Sequence, residues 1–522
     1  MKKKIIHGLL AALTLASTTM FAANVNQTFI AHRGTISDNT LVSRACHRMH
    51  NKSKDAIGAV VSAAAFYRQS HNHVKLAQYF GDGTAAVPTG LINVATYAAT
   101  TTGLNSGQID PQTATNIASN MSGSVALSPR RIEAGAQLQW SQSLDKLVEG
   151  LSFDVSAPVT YVRTSLRPTY TGTANALAAS LGGTKGLANY FGGENLGKSV
   201  VVGTTYAVTL TQAALAKAII NPTHVNTTQV ADVKVALGYT FLKKARSYRL
   251  GALLTGNIPT GKKPAGVYAF EPLAGSRHFS LGGGLDAWAN LWRAEDGKTS
   301  FNVRANAVYS YGFAAEEIRT LGLTNYTTGR IADGQYIVVG DEGTVNMMPL
   351  ANVSTLAVKV TPRSRVEATA GLTFNYERFA ASVSYNLFYN QAEKLELTGA
   401  FDQTTYGTIA KTGFDGSPTA DDLAGAANLN TFALPDGGTT KAFSPNSEIL
   451  APGLASSSNV QALDLGAATT PEQVVHKVGA DLSYGFGGSI PVRAAVGGEV
   501  ELSSNNASIN SWGVWAKVGF GF

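Results

Sequence analysis

The chain has 522 residues with 54 glycines, 19 tyrosines, a single cysteine and a formal net charge of +7. One cysteine excludes an internal disulfide, and a small positive charge without a basic stripe of interleaved aromatics excludes a nucleic-acid partner. No apolar run reaches the roughly twenty residues that a spanning helix needs, so the sequence also excludes a helical membrane protein.

The first 23 residues have the pattern of an export signal. Lys2, Lys3 and Lys4 precede an apolar stretch, which ends in a small-residue region at Ala22 and Ala23. The stretch is too short to span a bilayer as a helix. We therefore expect a signal peptide over residues 1–23, cleaved near Ala22/Ala23, and an exported mature chain; the sequence leaves the exact cleavage site open.

Residues 24–55 form a basic N-terminal arm. Its charged and titratable side chains include His32, Arg33, Arg44, His47, Arg48, His50, Lys52 and Lys54. Two interpretations stay open: the arm plugs the lumen of a larger domain, or it is a periplasmic tail.

Residues 56–522 alternate apolar and polar side chains in segments of about ten residues, which is typical of strands in a transmembrane β-barrel. We predict a closed antiparallel all-β barrel of twelve strands, near residues 57–68, 131–141, 151–163, 234–242, 248–258, 278–292, 300–313, 366–376, 379–390, 477–486, 492–502 and 512–522. If His73–Phe80 and a segment near Phe29 are also strands, the number becomes fourteen. A soluble β-sandwich also has alternating strands, but it does not need so many strands of bilayer length.

The last segment shows the alternation most clearly and ends on an aromatic residue. One face carries apolar side chains at every second position, including Trp512, Val514, Val518, Phe520 and Phe522. A terminal Phe preceded by such a pattern resembles the closing strand of Gram-negative outer-membrane β-barrel proteins, including porins. The resemblance implies that these residues are the assembly signal that the barrel assembly machinery recognises, and that the protein lies in the outer membrane.

Connection lengths are unequal at the two ends of the predicted strands. Short turns fall at the end that we expect to face the periplasm, and long loops at the other end, which is the usual asymmetry of these barrels. The predicted outer loops lie near residues 81–130, 165–232, 314–364 and 392–473.

Charged side chains at inward positions of the predicted strands define the expected lining of the lumen. The candidate pore-lining residues are Arg131, Glu133, Asp154, Lys234, Arg249, Asp286, Arg304, Glu367, Lys477, Asp481, Arg493, Glu499, Glu501 and Lys517. They comprise equal numbers of basic and acidic groups, and a polar lumen of mixed sign suits small hydrophilic solutes with weak ion preference. The same charges would pair across the barrel if the interior were blocked.

No pattern predicts catalysis, a metal or a cofactor. Cys46, His47 and His50 lack a fourth ligand at zinc-finger spacing. The segment Gly256–Lys262 has P-loop spacing, but Lys263 replaces the magnesium-binding hydroxyl, so nucleotide binding is not expected. We expect no enzyme activity.

The sequence therefore favours an outer-membrane pore for passive diffusion of small hydrophilic solutes, with membrane lipid and the assembly machinery as its other partners. Two alternatives stay open. Ile-Pro-Thr-Gly at Ile258–Gly261 resembles outer-membrane transporters of long-chain fatty acids and aromatic compounds, which implies a hydrophobic solute and an N-terminal plug. The other alternative is a structural or adhesive barrel that displays its loops. The sequence does not predict an oligomeric state.

Overall fold

A computed structural model describes most of the chain. The described residues are 27–45, 58–80, 91–95, 108–109, 122–172, 187–194, 211–325, 329–331, 333–341, 346–399, 401, 406–408, 449–450 and 461–522. The predicted signal peptide and the Cys46, His47 and His50 group lie outside these residues. None of the helices in the described part of the chain is long and apolar enough to cross a membrane.

Twelve long antiparallel strands form the main sheet. In chain order they are β1 (Ala59–Ser70), β2 (Arg130–Ser143), β3 (Leu151–Ser165), β4 (Val233–Lys244), β5 (Tyr248–Ile258), β6 (Ser280–Arg293), β7 (Thr299–Gly312), β8 (Arg363–Tyr376), β9 (Phe379–Asn390), β10 (Gln473–Phe486), β11 (Val492–Ser503) and β12 (Ser511–Gly521). Each pairs with its neighbours in chain order, and β3 pairs with β4 as well as with β2.

The first and last strands close the sheet into a ring. Strand β12 pairs antiparallel with β1, with Ala65 opposite Ala516, and the backbones of Ala59 and Phe522 exchange hydrogen bonds of 2.8 and 2.9 Å. Closure leaves no unpaired sheet edge, which is the condition for a sheet surrounded by lipid. The prediction of a closed antiparallel barrel of twelve strands is confirmed.

The alternation of the sequence separates an apolar exterior from a polar interior. Leu138 on β2 and Leu482 on β10 are 58% and 63% exposed on the outer surface. Polar residues at alternate positions, such as Gln137 next to Leu138, are buried inside. Aromatic side chains lie at both ends of the exterior, among them Tyr67 packed on Trp512 and Tyr484 packed on Phe379. Such aromatic belts are typical of membrane interfaces.

The fourteen-strand alternative is wrong. His73–Phe80 is an α-helix rather than a strand, and the segment around Phe29 lies within the ring without joining its sheet. In the helix Leu76, Ala77 and Phe80 are buried on one face. Their spacing is that of a helix, not the period of two that an amphipathic strand shows.

The two ends of the ring differ in the length of their connections. At one end, called here the turn end, residues 144–150, 245–247, 294–298, 377–378 and 487–491 join consecutive strands. At the other, the loop end, the long connections are 71–129, 166–232, 313–362 and 391–472, and the shorter ones are 259–279 and 504–510.

Short elements above the loop end build a cap. One strand, Val225–Val230, extends the barrel by pairing with the upper half of β3. The others are Leu91–Ala95, Gln108–Ile109, Ser122–Ala126, Thr169–Gly172, Thr211–Gln212, Ala315–Thr320, Gly322–Asn325, Gly329–Ile331, Val338–Asp341, Asn346–Pro349, Thr355–Thr361, Lys394–Leu397, Tyr406–Thr408, Ile449–Leu450 and Gln461–Asp464, with helices His73–Phe80, Leu187–Phe191 and Ala351–Ser354 and 3-10 turns Gly334–Tyr336 and Gly466–Ala468. The largest apolar core of the described residues lies in this cap, around Tyr79, Phe191, Phe270 and Tyr336.

Candidate functional site

Residues 27–45, called here the lumen segment, run through the loop-end half of the barrel. The segment starts among the cap residues, where the Gln27 amide donates a 2.8 Å hydrogen bond to the Tyr79 carbonyl. It contains two short helices, Thr35–Asp38 and Thr40–Arg44. At its lower end the Lys517 ammonium, on the inner face of β12, donates to the carbonyls of Val42 and Ser43 at 3.0 and 3.1 Å. The segment therefore occupies the space through which a solute would pass.

Arg33 joins the lumen segment to three strands. Its guanidinium lies 3.0 Å from the Glu367 carboxylate on β8 and 3.3 Å from the Glu501 carboxylate on β11. It also donates a 2.5 Å hydrogen bond to the side-chain carbonyl of Asn386 on β9. Arg33 is 6% exposed. A guanidinium offers five donors in a planar fork, so a single arginine can hold several wall groups at once.

Arg68 repeats the arrangement on the wall itself. Strand β1 places this residue on its inner face, where the guanidinium lies 2.7 Å from Glu499, 3.2 Å from Glu133 and 3.4 Å from Asp38 of the lumen segment. Glu133 also pairs with its strand neighbour Arg131. The wall and the segment thus share one charge network.

Lys477 completes the network from β10. Its ammonium lies 3.0 Å from Glu501 and 3.3 Å from Glu499, and it donates a 2.5 Å hydrogen bond to the Asp38 carbonyl. Lys477 is 0% exposed. An ammonium taken out of water costs several kcal/mol unless good ion pairs offset it, and Glu499 and Glu501 provide these ion pairs.

Apolar contacts below the network are few. Val42 belongs to one buried apolar cluster with Ala64 and Phe66 of β1 and Trp515 of β12. Leu41 lies against Gly479 of β10, where a Cβ atom would come within 2.6 Å of the leucine side chain. Gly479 therefore provides the close approach that lets the second short helix lie against the wall.

Phe29 anchors the upper end of the segment between two buried arginines. The Arg319 guanidinium carbon lies 3.8 Å from the centre of the Phe29 ring, and that of Arg277 lies 5.5 Å away. Both positions are within the range of cation–π attraction.

Carboxylates of the cap hold these arginines in place. Glu317 lies 2.8 Å from both Arg277 and Arg319, and Glu393 lies 2.7 Å from Arg319. Burial alone would raise the pKa of Glu317, but Arg277 and Arg319 outweigh it and hold this pKa well below its usual range. Glu317 is therefore an anion throughout the physiological pH range.

The inner face of the wall carries all fourteen charged residues selected from the sequence. Seven of them touch the lumen segment or its charge network: Arg131, Glu133, Glu367, Lys477, Glu499, Glu501 and Lys517. Glu367 pairs with Arg33, and Lys234 faces Glu367 across a cavity of about 520 Å3.

The remaining candidates face the half of the lumen near the turn end. Asp286 on β6 and Arg304 on β7 form an ion pair of 3.2 Å. The strand register places the other four on the inner face: Asp154, Arg249, Asp481 and Arg493. On the outer face of β12, Trp512, Val514, Val518, Phe520 and Phe522 alternate with inward residues.

Sequence reasoning missed three members of the network. Arg68 stands on the inner register of β1, so the alternation of that strand contained the signal. Arg33 was visible only as one of several basic residues of the arm. Asp38 had no distinguishing signal, because its role depends on a contact with a wall residue more than 400 positions away.

No protein-family model and no curated protein sequence matches the chain. Among solved structures, it is similar to an outer-membrane channel from Pseudomonas putida F1, with 8% identity over 90% of this chain and 99% of that chain and a TM-score of 0.36. The translocator domain of the autotransporter NalP from Neisseria meningitidis gives 7% identity, 94% and 97% coverage and a TM-score of 0.31. A FadL homologue from Pseudomonas aeruginosa gives 8% identity, 89% and 90% coverage and a TM-score of 0.25. These scores are low, and the description of the barrel rests on the strand pairing and contacts of this chain.

Proposed function

We propose that the protein is an outer-membrane channel for small hydrophilic solutes whose lumen is closed at rest by its own residues 27–45. The observation that carries the proposal is the charge network between Arg33, Arg68 and Lys477 and the carboxylates of the inner wall. It joins a polar wall to a polar segment inside a closed ring.

The membrane location follows from the exterior. Every strand of the ring presents apolar side chains outward, and large ones such as Leu138, Val383 and Val496 are more than half exposed. A monomeric soluble protein rarely exposes a continuous apolar patch of more than a few hundred Å2. Lipid is the environment in which such a belt is stable. The loop end is then the outer side and the turn end the periplasmic side.

The lining of the lumen supports a hydrophilic solute. The fourteen inward charges of the wall are mixed in sign, and seven of them contact the lumen segment or its network through ion pairs or hydrogen bonds. When the segment moves, these groups exchange their partners for water, because hydration replaces the ion pairs that hold the segment. The inner face of the barrel is then hydrated and charged. A solute with hydrogen-bonding groups can pass along such a wall, whereas a hydrocarbon cannot displace the water bound to it.

The depth of the network supports closure at rest. Lys477 and Arg33 are nearly or wholly shielded from water, so the segment leaves no wet passage beside these two residues. Opening therefore requires the segment to shift or to leave. We propose displacement of residues 27–45 as the gating step.

The test is single-channel conductance of the full-length protein refolded into a planar bilayer. We expect a mostly closed wild type with rare openings. A variant with Val42→Cys and Ala64→Cys, two positions of one apolar cluster of segment and wall, and with Cys46→Ser to remove the native thiol, should lose its openings under oxidising conditions and regain them with a reductant. Openings that persist with the segment cross-linked would overturn the gating proposal. A reduced, folded protein that never conducts would overturn the channel itself.

Uptake of hydrophobic solutes is a second candidate, and one observation favours it. The apolar core of the cap includes Phe80, Ile92, Leu127 and Ile220, and these side chains lie beside Gln27 of the lumen segment. An apolar molecule bound there would contact the start of the segment. In a Phe80→Trp variant, a small aromatic compound that binds there should quench the tryptophan fluorescence. Such quenching, together with the absence of conductance, would favour this candidate over the hydrophilic channel.

The remaining expectations from the sequence stay part of the proposal. The signal peptide directs export, and the outward face of β12 serves as the signal for the assembly machinery. No catalytic role, metal or cofactor is proposed for this barrel.

A further inference from the structure

A basic pocket lies on the outer surface of the barrel, away from the lumen. Strands β2 and β3 pair so that Ile132 is opposite Arg163 and Arg130 is opposite Ser165. These side chains point away from the interior, since their neighbours Arg131 and Thr164 are buried inside. With Arg167 and His224 they surround a cavity of about 470 Å3 at the loop end.

Among the described residues, the positive charge of this pocket has no acidic counterpart. Among the residues that the structure describes, no carboxylate lines the cavity or forms a salt bridge with any of its three guanidiniums. Their hydrogen-bond partners include an imidazole ring and carbonyl oxygens. Arg163 lies 3.1 Å from the Nδ1 of His224, Arg130 donates to the Gln69 side-chain carbonyl at 2.6 Å, and Arg167 donates to the Ser128 carbonyl at 2.9 Å.

These hydrogen bonds orient the three guanidiniums but use only some of their N–H donors. Each guanidinium has five N–H groups, and the Nε of Arg130 is buried without a hydrogen-bond partner. Three like charges held together in one concave site repel one another unless an anion joins them. Phosphate is the anion that arginine forks match best, because two N–H groups can donate to two of its oxygens.

The position of the pocket relative to the apolar and aromatic belts indicates where the phosphate comes from. Below it on the same outer face come Val159 and Leu138, which are 47% and 58% exposed within the apolar belt. Tyr67 and Trp512, a packed pair of the aromatic belt, lie on the adjoining strands at the same end. The cavity therefore sits where lipid headgroups meet the hydrocarbon layer, with apolar wall beneath it for acyl chains.

We propose that Arg130, Arg163 and Arg167 form a binding site for the phosphate group of an anionic glycolipid in the outer leaflet. The inference rests on the membrane location given in the proposed function, but it does not depend on channel activity. Lipid binding and conductance are separate readouts, so the failure of one leaves the other interpretable.

The experiment is a titration of the full-length protein in detergent micelles with bisphosphorylated lipid A, followed by native mass spectrometry. The variant is Arg163→Gln combined with Arg167→Gln, and the control is Arg293→Gln, an exposed arginine at the turn end. We expect the double variant to bind about tenfold more weakly or worse, because two charge-assisted contacts are lost, while the control binds like the wild type. Equal affinity of the double variant and the wild type would overturn the proposal.

Two further arms identify the ligand. Lipid A stripped of both phosphates keeps its acyl chains, and we expect it to lose the binding that the double variant loses. Inorganic phosphate at the same concentration should not compete, since it lacks the acyl chains that pack on the wall. Equal binding of the stripped lipid, or full competition by inorganic phosphate, would each contradict a lipid-phosphate site. If the double variant does not fold, Arg163→Gln alone, at an exposed position, provides the same comparison.

Discussion

Arg33 and Glu367 stand 3.0 Å apart across the boundary between the lumen segment and the barrel wall. The pair is bridged further by Thr40, whose hydroxyl donates to the same carboxylate, and by Ser37, which donates at 3.1 Å. Three of the donors to this carboxylate belong to the segment, so they leave it when the segment moves. The position of Arg33 is thus coupled to the closed state of the lumen.

Replacing Arg33 by glutamine should open the channel. The variant leaves Glu367 and Glu501 without their shared cation, and a buried charge that loses its partner costs about 3 to 5 kcal/mol. Releasing the segment into water avoids most of that cost, so we expect openings to become at least about tenfold more frequent. Single-channel recording measures the frequency. Arg293→Gln at the turn end is the control, and an unchanged opening frequency in Arg33→Gln would contradict the gating role.

The closing role of the lumen segment can also be tested by enlarging the side chain at Gly479, without any change of charge. A side chain at this position would meet the Leu41 Cδ1 at 2.6 Å, so Gly479→Leu should force the second short helix off the wall and increase the opening frequency. Gly485 lies on the inner face of the same strand, and there the nearest atom to an added Cβ is 3.7 Å away. Gly485→Leu is therefore the matched control in the recordings. If both variants conduct alike, Leu41 does not close the lumen.

Lys477 tests whether the network also stabilises the barrel. Lys477→Met keeps the length of the side chain but leaves Glu499 and Glu501 with one cation fewer, and we expect the free energy of unfolding to fall by about 3 kcal/mol. Urea titration of the refolded protein measures the change. Adding Glu501→Gln should restore part of the loss, because the two residues are coupled. If the two substitutions lower the free energy of unfolding additively, the interaction between Lys477 and Glu501 does not stabilise the barrel.

The number of strands could be predicted because lipid imposes a strict rule on each of them. Leu482 and Val383 must face hydrocarbon while Asp481 and Ser382 face the interior, and a period of two records this choice in the sequence. The helix His73–Phe80 obeys no such rule, since it packs in the cap, and its short apolar run was ambiguous.

The closure of the lumen was less predictable. The sequence marked Glu367, Glu499 and Glu501 as inward and left two interpretations for the arm, because charges that line water and charges that bind a partner obey the same alternation. Only the distances to Arg33 and Asp38 distinguish the two arrangements. For Arg130 and Arg163 the alternation predicts the outer face correctly. It does not predict that the two side chains line one pocket, because this depends on the strand register and on the loop that carries His224.

The anchor of Phe29 predicts a dependence on acidity at the loop end. Because the folded pKa of Glu317 lies below its unfolded value of about 4.3, its contribution to stability is complete above that pH and is lost as the pH falls through the folded value. We therefore expect residues 27–33 to be equally protected from hydrogen exchange between about pH 5 and 8 and to lose protection only in stronger acid.

Glu317→Gln removes the charge at every pH. Arg277 then has no carboxylate beside it and Arg319 keeps only Glu393, so the two guanidiniums no longer hold the Phe29 ring with the same geometry. We expect residues 27–33 of this variant to exchange faster already at neutral pH. Glu316→Gln is the matched control, because Glu316 is the exposed neighbour on the same short strand and shares the intrinsic pH dependence of exchange. If Glu317→Gln and Glu316→Gln exchange at the same rate at neutral pH, the carboxylate of Glu317 does not support the anchor, and the closed position of the segment depends on its contacts with the barrel wall.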